Sequence, residues 1–91
     1  MSNNYKYLFS IFDDVTKLYD PPFVDINKGS AMRRIQDLMK SNPNSQYTKF
    51  PDNFSLTCVG TWNEETGHCY SDNGADVVVE LKDMIPPENK E

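Results

Sequence analysis

The sequence has few cysteines, a single histidine and no long hydrophobic run. Its 91 residues include two cysteines and one histidine. The apolar clusters are short and well separated, and the first residues lack the apolar stretch of a signal peptide, so we expect neither a membrane span nor secretion. No phosphate-binding loop, dinucleotide fingerprint or hydrolase elbow is present in the sequence. These absences point to a small soluble protein that does not bind nucleotides as an enzyme would.

A metal centre or a catalytic pair would need side chains that the sequence does not supply. A zinc site takes about four nitrogen or sulfur ligands, and the candidates of that kind are His68, Cys58 and Cys69. The acidic pairs at positions 13–14 and 64–65 lie in predicted turns, where neighbouring side chains diverge and do not cooperate in acid–base chemistry. We therefore expect no metal, no cofactor and no enzymatic activity.

The net charge of −5 is distributed unevenly along the chain. Residues 27–49 carry five basic residues and one acidic residue, whereas the other segments carry four basic and thirteen acidic residues. The five basic residues are Lys28, Arg33, Arg34, Lys40 and Lys49. A solvated helix face accounts for such a cluster. An anion-binding surface is the alternative, because phosphate attraction acts within about 8–10 Å and does not depend on the total charge.

Residues 50–70 predict a β-hairpin. Apolar or small residues alternate with others through 54–62, which is the period of a half-buried strand. Residues 63–67 form a polar turn that closes on Gly67. Folding about this turn places Thr61 opposite Cys69 and directs Cys58 to the other face of the sheet, so we predict free thiols.

The remaining elements predict an α+β domain. Residues 4–12 favour a central strand, 23–26 a short edge strand and 77–81 a final strand, while 15–19 fit either a strand or a helical turn. Asn27 or Ser30 caps a helix that ends before Pro43. The apolar stripe of this helix comprises Ala31, Met32, Ile35, Leu38 and Met39. We expect one domain over 1–91, an antiparallel sheet of four to five strands with one helix on one face, and a flexible tail at 84–91.

Two features bear on function. Tyr47 and Phe50 lie within or next to the basic segment, and Tyr5, Tyr7 and Trp62 lie on predicted strands elsewhere. Aromatic rings on a sheet beside cations are what binders of single-stranded nucleic acid use. The alternative, that the aromatic residues form the core, is preferred for Phe9, Phe54 and Trp62. The apolar first and last strands leave a sheet edge or face for another copy to cover, which predicts a homodimer.

Most of the chain resembles a known phage family. The segments LFSIFD, NKGSAMRRIQDLM and KFPDNFSLTCVGTWNEETGHCY, with a Pro-Phe segment after the first, are similar to the small nonstructural protein of gokushovirus-type microviruses, which are single-stranded DNA phages. The likeness extends from Tyr7 to about Leu81. The family is described as nonstructural or DNA-binding, acting in genome replication or its switch to packaging. The resemblance implies a location in the cytoplasm of an infected bacterium and supplies no catalytic motif.

Composition and resemblance together predict a nonstructural phage protein that binds single-stranded DNA without sequence preference. The predicted phosphate contacts are Lys28, Arg33, Arg34, Lys40 and Lys49, and the predicted stacking residue is Tyr47. The alternative is a protein-interaction module that acts on the phage replication initiator or on capsid assembly and touches no nucleic acid. The overall acidity favours this alternative.

Overall fold

A computed structural model describes residues 4–71 and 74–84 of the chain. In chain order, the elements are β1 (Tyr5–Asp13), β2 (Leu18–Tyr19), β3 (Phe23–Asp25), α1 (Lys28–Ser41), α2 (Gln46–Lys49), β4 (Phe54–Asn63), β5 (Cys69–Tyr70) and β6 (Asp76–Glu80). Short 3-10 turns at Pro51–Asn53 and Leu81–Met84 precede β4 and follow β6. The fold is thus α+β, as predicted.

The two long strands β1 and β4 form the antiparallel centre of the sheet. Strands β2 and β3 both pair with the edge of β1 that faces away from β4. Strands β5 and β6 both pair with the edge of β4 that faces away from β1. The sheet has six strands, against the four to five predicted, because each outer position is shared by two short strands. The second strand, left open between strand and helical turn by the sequence, is one of these short pieces.

A β-bulge divides the central ladder into two parts. Leu8 pairs with Gly60 and Phe9 with Cys58, so Val59 is an extra residue on β4. We call residues 9–13 and 54–58 the inner half of the ladder, and residues 5–8 and 60–63 the outer half. Phe9, Leu56 and their apolar neighbours are buried in the inner half, whereas no residue of the outer half is buried.

Helix α1 covers one face of the inner half. The Asn27 side chain accepts a hydrogen bond from the backbone N–H of Ser30 at 2.7 Å, so Asn27 is the N-cap. The apolar stripe buries Ala31, Ile35 and Met39 against the sheet, while Leu38, predicted in the same stripe, is more exposed. In the described part of the chain, no helix is long and apolar enough to cross a membrane.

The 3-10 turn after β6 contributes two side chains to the core and is hydrogen-bonded to α1. Leu81 and Met84 are buried, and the Gln36 side-chain amide donates a hydrogen bond to the Met84 carbonyl at 3.0 Å. Met84, where the predicted tail begins, is therefore part of the core. The rest of that tail, residues 85–91, lies outside the described residues.

Both cysteines are free, but the register beside them differs from the prediction. Cys69 pairs with Trp62, and Thr61 pairs with Tyr70, so β5 is displaced by one residue relative to the predicted hairpin. The reason is the turn, where Gly67 takes a positive φ of 81° and its N–H donates to the Asn63 carbonyl. The loop between the paired residues Trp62 and Cys69 is consequently one residue longer than the predicted turn at 63–67.

Candidate nucleic-acid interface

The outer surface of α1 carries most of the predicted cations. Lys28 opens the helix, Arg33 and Arg34 occupy its middle and Lys40 its last turn, and all four side chains are exposed. Arg33 and Lys40 are seven residues apart, so they lie on nearly one line of the helix, about 10 Å apart along its axis. This line faces away from the buried stripe.

The fifth predicted cation, Lys49, ends the short helix α2. Ser45 caps α2 by accepting a hydrogen bond from the Tyr47 N–H at 3.2 Å. The Thr48 hydroxyl lies 3.1 Å from the Met39 carbonyl and 2.9 Å from the Asn42 carbonyl, at the end of α1. Through Thr48 the two helices are held together, so Lys49 belongs to the same side of the molecule as the end of α1.

Few of these cations are neutralised inside the protein. Within residues 4–71 and 74–84, the ion pairs are Lys6–Glu64, Lys17–Asp14 and Arg34–Asp25. Lys28, Arg33, Lys40 and Lys49 therefore form no ion pair with any residue that the structure describes. We call these four residues the cationic helix surface. Their charge is available to an external anion.

Arg34 has a different environment from the other four cations. Its Nε lies 3.1 Å from Oδ2 of Asp25, which is 8% exposed, and its guanidinium lies 5.1 Å from the Phe23 ring centre. Burial raises the pKa of Asp25, but hydrogen bonds from Ser30 and the Ile26 N–H, together with the charge of Arg34, outweigh it, and the pKa lies below its usual range. Arg34 thus joins α1 to β3, and this structural contact competes with the predicted phosphate contact.

Tyr47 is held within the fold by both ends of its side chain. Its ring meets Phe54 edge-on at 4.9 Å between centres, and its hydroxyl donates a hydrogen bond to the Asp20 carboxylate. Burial, then the hydrogen bond and charge of Asp20, raise the pKa of Tyr47 well above its usual range, so the phenol stays protonated as a donor. This geometry favours packing over the stacking role predicted from the sequence.

Lys82 is a cation that sequence reasoning did not place near the others. It is exposed and lies two residues before Met84, whose carbonyl is bound by Gln36 of α1. Lys82 forms no ion pair with the described residues. Lys82 lies outside the basic segment 27–49, so the charge pattern along the chain does not group it with the other cations.

The structure adds no metal site to this surface. Among residues 4–71 and 74–84, no three side chains of histidine, cysteine, aspartate or glutamate gather as metal ligands would. The exposed charged side chains of α1 are Lys28, Arg33, Arg34, Asp37 and Lys40, four basic and one acidic. The arrangement suits the binding of an anionic chain.

Fold and surface define a small α+β protein whose long helix is net positive, although the chain as a whole is net negative. Residues 6–84 match the family model described as Phage ORF5 protein, and the chain belongs to this family. It is therefore a bacteriophage protein, which confirms the predicted resemblance to a small phage protein. The narrower assignment to gokushovirus-type microviruses is compatible with the match and stays a prediction. No curated protein and no solved structure matches the chain.

Proposed function

We propose that this phage protein binds single-stranded DNA without sequence preference through the cationic helix surface. The observation that supports the proposal is the set of four exposed cations, on two helices joined by Thr48, that form no ion pair with the described residues. Each such cation can neutralise a phosphate and release a counterion. No catalytic step is part of the proposed role.

The choice of single-stranded DNA depends on the sequence resemblance to proteins of single-stranded DNA phages. On this proposal, the protein covers the genome during replication or during the switch to packaging. Contacts to phosphates position a strand but carry no sequence information. A protein that coats a genome needs that property.

The test is a binding titration of the double variant Arg33→Gln/Lys40→Gln with a single-stranded oligonucleotide over a series of salt concentrations. Glutamine keeps a good helix propensity and removes only the charge. We expect weaker binding and a slope of log K against log salt that is less steep by about 0.7 for each lost phosphate contact. The loss should be the same for oligonucleotides of different sequence.

The matched control is Lys6→Gln/Lys17→Gln, which removes the same amount of charge. Both control lysines are paired with carboxylates outside α1 and α2. If the two double variants bind equally, net charge governs the interaction and the proposed site is wrong.

A parallel titration with duplex DNA tests the preference for single strands. Equal affinity for duplex would contradict that part of the proposal. Failure of the parent protein to bind any oligonucleotide at low salt would overturn it and favour the interaction module acting on the replication initiator or on capsid proteins. The homodimer and the location in the host cytoplasm stay predictions.

A further inference from the structure

A row of exposed tyrosines lies on the outer half of the central ladder and on the adjoining strand β5. The row is on the same face of the sheet that α1 covers in the inner half. Thr61 pairs with Tyr7 on one side and with Tyr70 on the other. Paired residues direct their side chains to the same face, so Tyr7 and Tyr70 flank Thr61. Tyr5 lies two residues before Tyr7 and shares its face. The three rings are 50%, 41% and 47% exposed for Tyr5, Tyr7 and Tyr70, respectively.

These rings lie outside the core that the sheet and helix share. The core in the described residues ends at Phe9 on β1, and Tyr7 touches it only by a tilted contact with Phe9, 6.3 Å between ring centres. Core packing therefore accounts for Phe9 but leaves much of the Tyr7 surface in solvent. A cluster of half-exposed aromatic rings on one face is the kind of patch that marks a binding surface.

A groove lies between Tyr7 and Tyr70. It has a volume of about 180 Å³, and its other lining residues are Cys58, Gly60, Thr61, Ser71, Gly74 and Asp76. A Cβ placed on Gly60 would lie 2.3 Å from the Tyr70 carbonyl oxygen, so β5 approaches β4 more closely than any side chain would allow. The absence of a side chain at Gly60 therefore allows β5 to pair closely with β4 beside the groove.

The tyrosine row adjoins the beginning of the cationic helix surface. Tyr7 pairs with Asp25 of β3, and α1 begins at Lys28, three residues later. Three residues span at most about 10 Å. A single DNA strand that crosses the tyrosines could therefore also reach Lys28, the first cation of the helix. Along α1, a further distance of about 18 Å separates Lys28 from Lys40.

We infer that Tyr7 and Tyr70, with Tyr5 beside them, form a stacking surface for the bases of single-stranded DNA. This inference rests on the proposed function, because it concerns the same strand whose phosphates contact α1. Every base has an aromatic face, so stacking on tyrosine adds affinity without sequence preference. Removing a stacked ring weakens binding between about fivefold and a hundredfold per base.

The test compares Tyr7→Leu/Tyr70→Leu with the parent protein on a thymine oligonucleotide and on an abasic oligonucleotide of the same length. Leucine keeps an apolar side chain and removes the aromatic face. We expect the variant to bind the thymine strand at least fivefold more weakly, with an unchanged salt slope, because no phosphate contact is lost. The abasic strand should bind to parent and variant equally.

Two further variants keep the result interpretable. Tyr19→Leu removes a tyrosine that is 50% exposed on the opposite face, where it packs on Phe12, and should bind like the parent. Tyr7→Phe/Tyr70→Phe keeps the rings and should also retain the parent affinity, even if the leucine variant proves to be unfolded by circular dichroism. Loss of affinity in the phenylalanine variant would overturn stacking in favour of hydroxyl contacts.

The two proposals fail in different ways. If Tyr7→Leu/Tyr70→Leu is folded and binds as tightly as the parent while Arg33→Gln/Lys40→Gln binds weakly, the stacking surface is refuted and phosphate binding stands. If the parent protein binds no single-stranded DNA, both proposals are overturned. If the tyrosines bind a protein and not DNA bases, the leucine variant should bind DNA as tightly as the parent. That result would count against the stacking surface.

Discussion

The two halves of the β1–β4 ladder have similar patterns of alternation but different surroundings. In the inner half, Phe9 and Leu56 are fully buried beneath α1, whereas Tyr7, two residues before Phe9 on the same face, is 41% exposed. The difference arises from what covers the strands and not from the strands themselves. An alternating pattern therefore identifies a strand and its two faces, but does not show how much of a face will be covered.

The helix fixes the boundary between the halves. Helix α1 has 14 residues and is tied to β3 by Arg34 and Asp25, at the level where Asp25 pairs with Tyr7. The bulge at Val59 falls next to this boundary. Beyond it, the ladder continues without a covering element among the described residues, and Tyr7 is only partly buried.

The largest expected difference between the halves is in stability. We expect Phe9→Ala to lower the free energy of unfolding by about 3–5 kcal/mol, because it leaves a cavity where a fully buried ring packs on Phe23. Tyr7→Ala, on the same strand and face, should cost about 1 kcal/mol or less. Urea unfolding of both variants measures the difference. Equal losses would show that the outer half is part of the core.

Asp25 lies at the junction of the halves, and its pairing should depend on pH. Asp25→Asn removes charge-assisted hydrogen bonds with Arg34 and Ser30, which should cost about 1.5–3 kcal/mol at neutral pH. Because the folded-state pKa lies below the ordinary value of 3.8, the stabilisation is present above that value and is lost as the pH falls through the folded-state pKa.

Unfolding of the parent and of Asp25→Asn should therefore be measured at neutral pH and again below pH 3.8, the ordinary value. We expect the gap between the two proteins to narrow in acid. A gap that stays constant with pH would mean that the carboxylate charge does not hold the junction.

Gly60 tests whether the outer half can change without the inner half. The close approach of the Tyr70 carbonyl means that Gly60→Ala must displace β5, at a cost of about 1–3 kcal/mol. Hydrogen exchange should show faster exchange at the Thr61–Tyr70 pairing and little change near Leu56. Gly29→Ala is the control, since its Cβ would lie 3.6 Å from Asn27 Oδ1, an ordinary contact, and alanine in a helix is favourable.

If Gly60→Ala leaves exchange on β5 unchanged, the strand is not held against β4 in the way described. If exchange instead rises throughout β1 and β4, the two halves form one cooperative unit. Either result would replace the division of the ladder with a simpler description.

Signals within a few residues predicted the secondary-structure elements well. The roles of side chains that depend on tertiary contacts were not predicted. The positions of the two long strands follow from alternation, and capping chemistry narrowed the helix cap to Asn27 or Ser30, because both signals act within a few residues. The structure decides for Asn27. The roles of Tyr47 and Arg34 did not follow, because their partners Asp20 and Asp25 are separated from them in the chain and become neighbours only on folding. Tyr70 was missed for the same reason, since its place beside Tyr7 depends on a strand of two residues.

The face of the sheet away from α1 carries buried hydroxyl groups at its centre. Ser10 and Thr57 are almost fully buried, and the Thr57 hydroxyl donates to the Ser10 carbonyl at 2.7 Å, while the Ser10 hydroxyl donates to the Asp20 carbonyl at 2.6 Å. A slip of β4 by one residue would turn Thr57 beneath the helix and leave its hydroxyl without this acceptor. These two hydrogen bonds therefore favour the observed register, because a misaligned β4 would leave a buried hydroxyl without an acceptor.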